Sequence, residues 1–208
     1  MKFLTFILLS IGAASTWPQG IAPPVAEYRG SKANGMFEVQ NTTDNAMAVT
    51  LETKSFVVDE HGIVHYSDLD KDVHIRMGAS SFTLAAHDTH MIFYKASFPT
   101  APISFSIIAT VTRAEQQTGM RIKFVFPHMI YVYQKDKLKR SDVSLELADG
   151  RLLIHNNSQK LGRVLEVTAS KEELGGFPIY PAQVREVAMP GATQASVKFE
   201  DGFSLSTQ

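Results

Sequence analysis

Apolar residues recur at every second position through most of the chain, in short runs closed by glycine, proline, asparagine or aspartate. That period is the one at which strand side chains return to the same face. Met47, Val49 and Leu51 share one face of a run over Ala46–Val58, and Ile103, Phe105, Ile107, Ala109 and Val111 share one face of Ile103–Arg113. Met120, Ile122, Phe124 and Phe126 do the same in the next run, with Arg121 and Lys123 on the opposite face. Pro127 lacks an amide donor and points to an edge, bulge or bend, after which Met129–Tyr133 resumes as β-branched and aromatic. Further strands are predicted at Val25–Tyr28, Met36–Gln40, Ile63–Tyr66, Val73–Ile75, Ser81–Leu84, His90–Tyr94, Val143–Leu147, Arg151–His155, Gly162–Ala169, Val184–Met189 and Ala195–Phe199. Turn chemistry separates them, most clearly at Asn41–Asn45, Asp59-Glu-His-Gly62 and Ala148-Asp-Gly150. Thr16–Pro24 reads as a loose arm and Phe177–Pro181 as irregular. No segment sustains a helical period, so the fold class expected is all-β, built as sandwiches.

The charged run Gln134–Arg140 reads as a solvated linker and divides the chain. Met1–Ser15 has the pattern of a secretory signal peptide: Lys2, the apolar Phe3–Ile11, then small residues, with cleavage near Ala14 or Ser15. The organisation expected is 1–15 signal peptide, 16–134 first domain, 135–140 linker, and 141–208 a smaller second domain. No other run is long and apolar enough for a membrane helix, so the mature protein is expected to be exported and not membrane-embedded. A net charge of −1 with no basic stripe argues against nucleic acid as a partner. The absence of cysteine excludes disulfides and thiolate metal sites.

Catalytic and metal patterns are weak. His61 and His65 sit four apart on an extended segment, too far to share a metal, and His87 and His90 flank a turn without a third ligand at motif spacing. Asp68, Asp70 and Asp72 read as a solvated acidic edge rather than a calcium loop. There is no Gly-x-Ser-x-Gly elbow and no phosphate-cradling glycine loop. Asn41-Thr-Thr43 and Asn156-Asn-Ser158 match the glycosylation tripeptide, which is too common to carry weight. Neither an enzyme nor a cofactor is expected.

Two readings of the stretch from Met120 onward remain: an ordinary sandwich strand, or an edge strand lent to a partner. Phe37-Glu-Val-Gln-Asn41, Val58-Asp-Glu-His-Gly62, Phe82-Thr-Leu84 with Met91-Ile-Phe93, Met120–Phe124 through Ile130–Val132, Ala148–Leu152, Asn156-Asn157 and Met189-Pro-Gly191 follow one another in a familiar order. In that order they resemble the periplasmic pilus-assembly chaperones, PapD-like proteins, and among them the archaic branch of the Csu and spore-coat type. The resemblance implies two immunoglobulin-like β-sandwich domains, the second small. It implies binding of pilus or surface-fibre subunits by donor-strand complementation, for delivery to an outer-membrane usher, and it admits a self-capping homodimer. Met120, Ile122, Phe124 and Phe126 would be the donor side chains. The family's basic carboxylate anchors fall near Val25 and Met129, neither of them basic, so Arg29, Lys123 and His128 are the nearest candidates. The rival expectation is an exported immunoglobulin-like structural or adhesive subunit.

Overall fold

The alternating runs fold into four sheets that stack in pairs, giving two β-sandwiches in succession. The computed structural model describes residues 19–114, 122–169 and 172–207. The signal peptide read at Met1–Ser15, and Met120, lie outside the described residues.

The first sandwich comprises β1 (Gln19–Ala22), β2 (Val25–Arg29), β3 (Lys32–Asn41), β4 (Met47–Val58), β5 (Val64–Asp68), β6 (His74–Met77), β7 (Ser81–Leu84), β8 (Thr89–Ser97), β9 (Ile103–Arg113) and β10 (Lys123–Tyr133). One sheet has the order β1-β3-β8-β6, and the other β2-β10-β9-β4-β5, with β7 also paired to β4. Phe37, Ile92 and Tyr94 from the first sheet meet Val49, Phe105, Ile107, Ile130 and Val132 from the second in a closed core. The second sandwich comprises β11 (Val143–Ala148), β12 (Arg151–Asn156), β13 (Gly162–Ala169), β14 (Glu172–Ile179), β15 (Val184–Ala188), β16 (Ala195–Phe199) and β17 (Ser204–Ser206). Its sheets, β11-β12-β15 and β14-β13-β16-β17, enclose Leu152, Ile154, Val164, Val167, Val197 and Phe199. Asp149 and Gly150 turn the β11–β12 hairpin with φ of 52° and 70°, the left-handed pair a two-residue hairpin requires.

Two segments differ from expectation for one physical reason. The arm read before Val25 contains β1, and the stretch read as irregular at Phe177–Pro181 begins inside β14. Both are edge strands, where a missing amide donor or a glycine costs little because one side of the ladder is open. Their prolines and glycines therefore disguise them. The run between the sandwiches is also docked rather than free. Leu138 is buried in the second core, and Gln134 bonds both the N–H and the C=O of Leu161.

The two sandwiches share a knot. Asn41, at the end of β3, donates its amide to the carbonyls of Asn45 and Ala85 and accepts from Thr43 N–H and Oγ1. Asn156, at the end of β12, donates to Lys160 and Tyr180 and accepts from Ser158 N–H and Oγ. Both glycosylation-like tripeptides are thus buried turn locks, since backbone carbonyls left without these partners would be costly to bury.

Candidate functional site

The site is built where the first strand of the chain changes sheets. β1 pairs antiparallel with β3 in one sheet, and after Pro23 and Pro24 the chain crosses over, so that β2 pairs parallel with β10 in the other. That pairing begins only at Val25↔Met129, joined by the Met129 N–H to Pro24 C=O bond of 2.8 Å. Two consecutive prolines offer no donor to carry the ladder further back. β10 itself pairs with β9 along nearly its whole length, from Lys123↔Thr112 to Val132↔Ile103. Among the described residues no strand pairs with the far edge of Lys123–His128, which is therefore open.

Strand geometry says which groups lie on that edge. Met129 N–H points to β2, so the backbone groups of Pro127, Val125 and Lys123 point the same way, and those of Phe124, Phe126 and His128 point to β9. Pro127 thus places its missing N–H on the open edge, in line with the edge reading from sequence. The N–H and C=O of Lys123 and Val125 remain there for a neighbouring strand.

Side chains change state along the same strand. Ile130 and Val132 are fully buried in the core, and Phe126 is packed against it. Phe124 is 41% exposed and Ile122 60%, while Val125, on the other face, is 53% exposed. The Phe124 and Phe126 rings lie parallel with centroids 6.3 Å apart. Of the four residues expected to form a donor face, Met120 lies outside the described residues. Phe124 and Phe126 project from one face, passing from exposed to half-buried towards the core, and Ile122, just before the strand, is exposed.

His128 closes the open stretch. It is buried, stacked on Phe37 at 4.7 Å, with Nδ1 2.7 Å from Pro23 C=O and Nε2 3.1 Å from Tyr94 Oη. A carbonyl can only accept, so Nδ1 carries the proton and Nε2 accepts from the Tyr94 hydroxyl. Tyr94 in turn lies 2.9 Å from Tyr28 Oη. Burial lowers the His128 pKa below its ordinary value, with the Pro23 bond opposing. Burial also raises the Tyr94 phenol well above the usual range. Gly35 makes this cluster fit, because a Cβ there would collide with the Tyr28 and Tyr94 hydroxyls.

The outer face of β10 looks onto the second sandwich. Tyr131 and Tyr133 pack with Phe56, Val58 and Leu161, and Tyr131 meets Phe56 edge-on at 5.3 Å. Burial pushes the Tyr131 pKa up to about 12. Polar bonds tie the two bodies: Tyr180 Oη to Ser104 Oγ at 3.0 Å, Gln183 Nε2 to Val58 C=O at 2.7 Å, and Glu186 N–H to Glu60 C=O at 2.8 Å. Arg185 bonds Asp59 C=O at 3.0 Å, beneath a turn whose Gly62 has φ of +88°. The Asp59 carboxylate is held at a pKa of about 2 by its bond to His65 and by the N–H groups of Ile63 and His61.

The three expected carboxylate contacts are not brought together. Arg29 is 3.0 Å from Glu200 and lies over the Tyr133 ring at 5.1 Å. Lys123 is exposed at the opposite end of β10, and His128 is sealed in the core. Arg163 is matched by Glu27. Val25 and Met129, where the resemblance locates a basic pair, face each other in register as an apolar pair. The histidines weighed as ligands disperse as well: His87 bonds Asp44 at 2.8 Å, His90 lies tilted against the Phe82 ring at 4.4 Å, and His65 bonds Asp59 at 2.7 Å.

Searches of solved structures return chains of this architecture. The class 5 fimbriae chaperone CfaA aligns with a TM-score of 0.61 at 11% identity, covering 91% of this chain and 99% of its own. The SafB chaperone, solved in complex with Salmonella enterica SafA pilin, aligns at 0.61 and 10%, covering 91% and 95%. The CsuC–CsuE chaperone–tip adhesion subunit complex of Acinetobacter baumannii archaic chaperone–usher pili gives a match at 0.56 and 15%, covering 90% and 97%. The fold is PapD-like. At these identities the likeness is one of fold, and it reaches class 5 and archaic chaperones alike, so the PapD-like architecture does not single out the archaic branch. No family model matches the chain, and no curated protein does. The open edge itself was legible only in part. The alternation and Pro127 pointed to it, but which residues lack a neighbour depends on where β2 stops, and nothing local to β10 encodes that.

Proposed function

We propose that this chain is a periplasmic, non-enzymatic chaperone that binds pilus or surface-fibre subunits by lending them the Lys123–His128 edge of β10. The observation that carries this reading is the open edge of Lys123–His128, where Phe124 and Val125, with Ile122 just before them, are exposed on a strand whose far end is buried and paired on both sides. An incomplete sandwich that adds a strand here gains backbone bonds and buries those side chains, each worth about 1.5–3 kcal/mol if fully withdrawn from water. Pairing also covers an edge that otherwise invites aggregation. The PapD-like fold supports the reading, as do the relatives solved with a pilin or a tip subunit. Delivery of the bound subunit to an outer-membrane usher completes the proposal.

The test is co-purification from the periplasm of a tagged copy expressed with its chromosomal neighbours. A stable complex with a small β-rich subunit is expected, and it is expected to be lost when Ile122→Asp and Phe124→Asp are combined. Capture that persists in the double variant overturns strand lending. Recovery of the protein itself within surface fibres would instead support the structural-subunit reading.

A further inference from the structure

The outer face of the β1-β3-β8-β6 sheet carries an apolar patch that the β10 edge does not use. Met36 on β3 faces Phe93 on β8 in register, and Met91 lies two residues along from Phe93. These side chains are 51%, 60% and 47% exposed. Outward positions on a sandwich are ordinarily polar, so three large apolar side chains at neighbouring outward positions need a reason. Beside them lies a hollow of about 520 Å³, lined by Met36, Phe93, Met77 and Gly78 among others. It opens where Gly78, bonded to the Phe93 carbonyl, brings no side chain to the row. A space of that size is in the range that receives large side chains or small ligands.

The charge beside the patch is one-sided. In the next row Lys95 sits beside Arg76, and Lys32 follows on β3. All three are exposed, and among the described residues none has an ion-pair partner. By contrast Arg29, Lys54, Arg151, Lys160 and Arg163 are each matched by a carboxylate. Glu38, across from Met91 at the other end of the patch, carries the one negative charge on this face among the described strands and accepts from Gln40. A second copy of this chain fits the patch poorly. A two-fold contact would set like charges against each other, and three side chains fall well short of the roughly 800 Å² per partner of a stable interface.

We propose that this face docks an acidic polypeptide segment carrying a large apolar side chain, the side chain entering the hollow beside Phe93 and the carboxylates meeting Lys95, Arg76 and Lys32. The patch and the β10 edge belong to opposite sheets, so both are open to occupation at once. This inference stands independently of strand lending.

A displayed library of random twelve-residue peptides selected on the full chain tests it. Enrichment of peptides with aspartate or glutamate next to leucine, phenylalanine or tryptophan is expected. A synthetic consensus peptide is expected to bind at least ten-fold more weakly to Lys95→Glu and to Phe93→Ser, and more weakly as salt rises. Gly78→Leu should block it too. A Cβ at Gly78 meets nothing closer than the Phe93 carbonyl at 3.8 Å, so this variant fills the hollow without straining the fold. Ile122→Asp should leave binding unchanged. The proposal is overturned if no acidic, apolar consensus emerges or if binding survives these substitutions. It is equally overturned if Phe93 and Lys95 govern binding to phosphatidylglycerol vesicles rather than to peptide, or if Phe93→Ser abolishes a dimer seen by sedimentation.

Discussion

From Met129 to Val132, β10 has a neighbour on both sides; from Lys123 to His128 it has one among the described residues. Both halves alternate and carry large apolar side chains; only Lys123, Pro127 and His128 set the open half apart in composition. In the paired half the inward residues are sealed in the core, and the outward tyrosines are sealed against the second sandwich. In the open half the same periodicity leaves Ile122, Phe124 and Val125 in water. The lesson is that the role of a strand residue here is set by its lateral neighbour rather than by its own side chain.

The sharpest break of that comparison is to place one charge in each half. Ile130→Asp buries an unpaired carboxylate and should cost about 4–5 kcal/mol, enough to unfold the first sandwich in urea titrations. Ile122→Asp should shift stability by no more than about 0.5 kcal/mol while removing subunit capture. Next in size is Tyr131→Ala, which empties a packed site between the sandwiches. A loss of about 3 kcal/mol is expected, together with separation of one unfolding transition into two by calorimetry.

His128 marks the border between the halves, and pH reads it. Its folded pKa lies below the unfolded value of about 6.5, so the unfolded chain binds more protons in the window between them. Its contribution is therefore complete above about pH 6.5 and is lost as the pH falls towards the lowered folded value. Denaturation curves from pH 7.5 downward should show stability declining. His128→Gln should remove that dependence at a constant cost of about 1–2 kcal/mol. If the slope survives in the variant, the histidine is not its origin. The smallest effect is expected for Pro127→Ala. It adds one N–H to the open edge and should change stability by about 0.5 kcal/mol or less, but it should raise self-association measured by light scattering.

Most of this architecture was legible because alternation is local. Ser81–Leu84, Ile103–Arg113, Gly162–Ala169 and Ala195–Phe199 were bounded correctly from the pattern alone. β1 and β14 were not, because an edge strand tolerates the prolines and glycines that elsewhere end one. The short β17 was missed for lack of any run to read. His128 drew notice only as a candidate carboxylate contact: its partner Pro23 lies 105 residues earlier in the chain, and no spacing rule connects them. Phe93 entered the sequence reading only as the end of the Met91-Ile-Phe93 segment, and its meaning emerged when β3 set Met36 opposite it and Gly78 left the space beside it empty.

The register between β2 and β10 also acts as a ruler. β10 has eleven residues, and β2 covers five, from Met129 to Tyr133, which leaves six uncovered. At about 3.3 Å per residue that is roughly 20 Å of edge, with room for three side chains on each face of an added strand. A longer incoming segment would run into the crossover at Pro23 and Pro24 and have to leave the plane of the sheet. By stopping where it does, β2 fixes one end of any visitor, the end that meets the crossover.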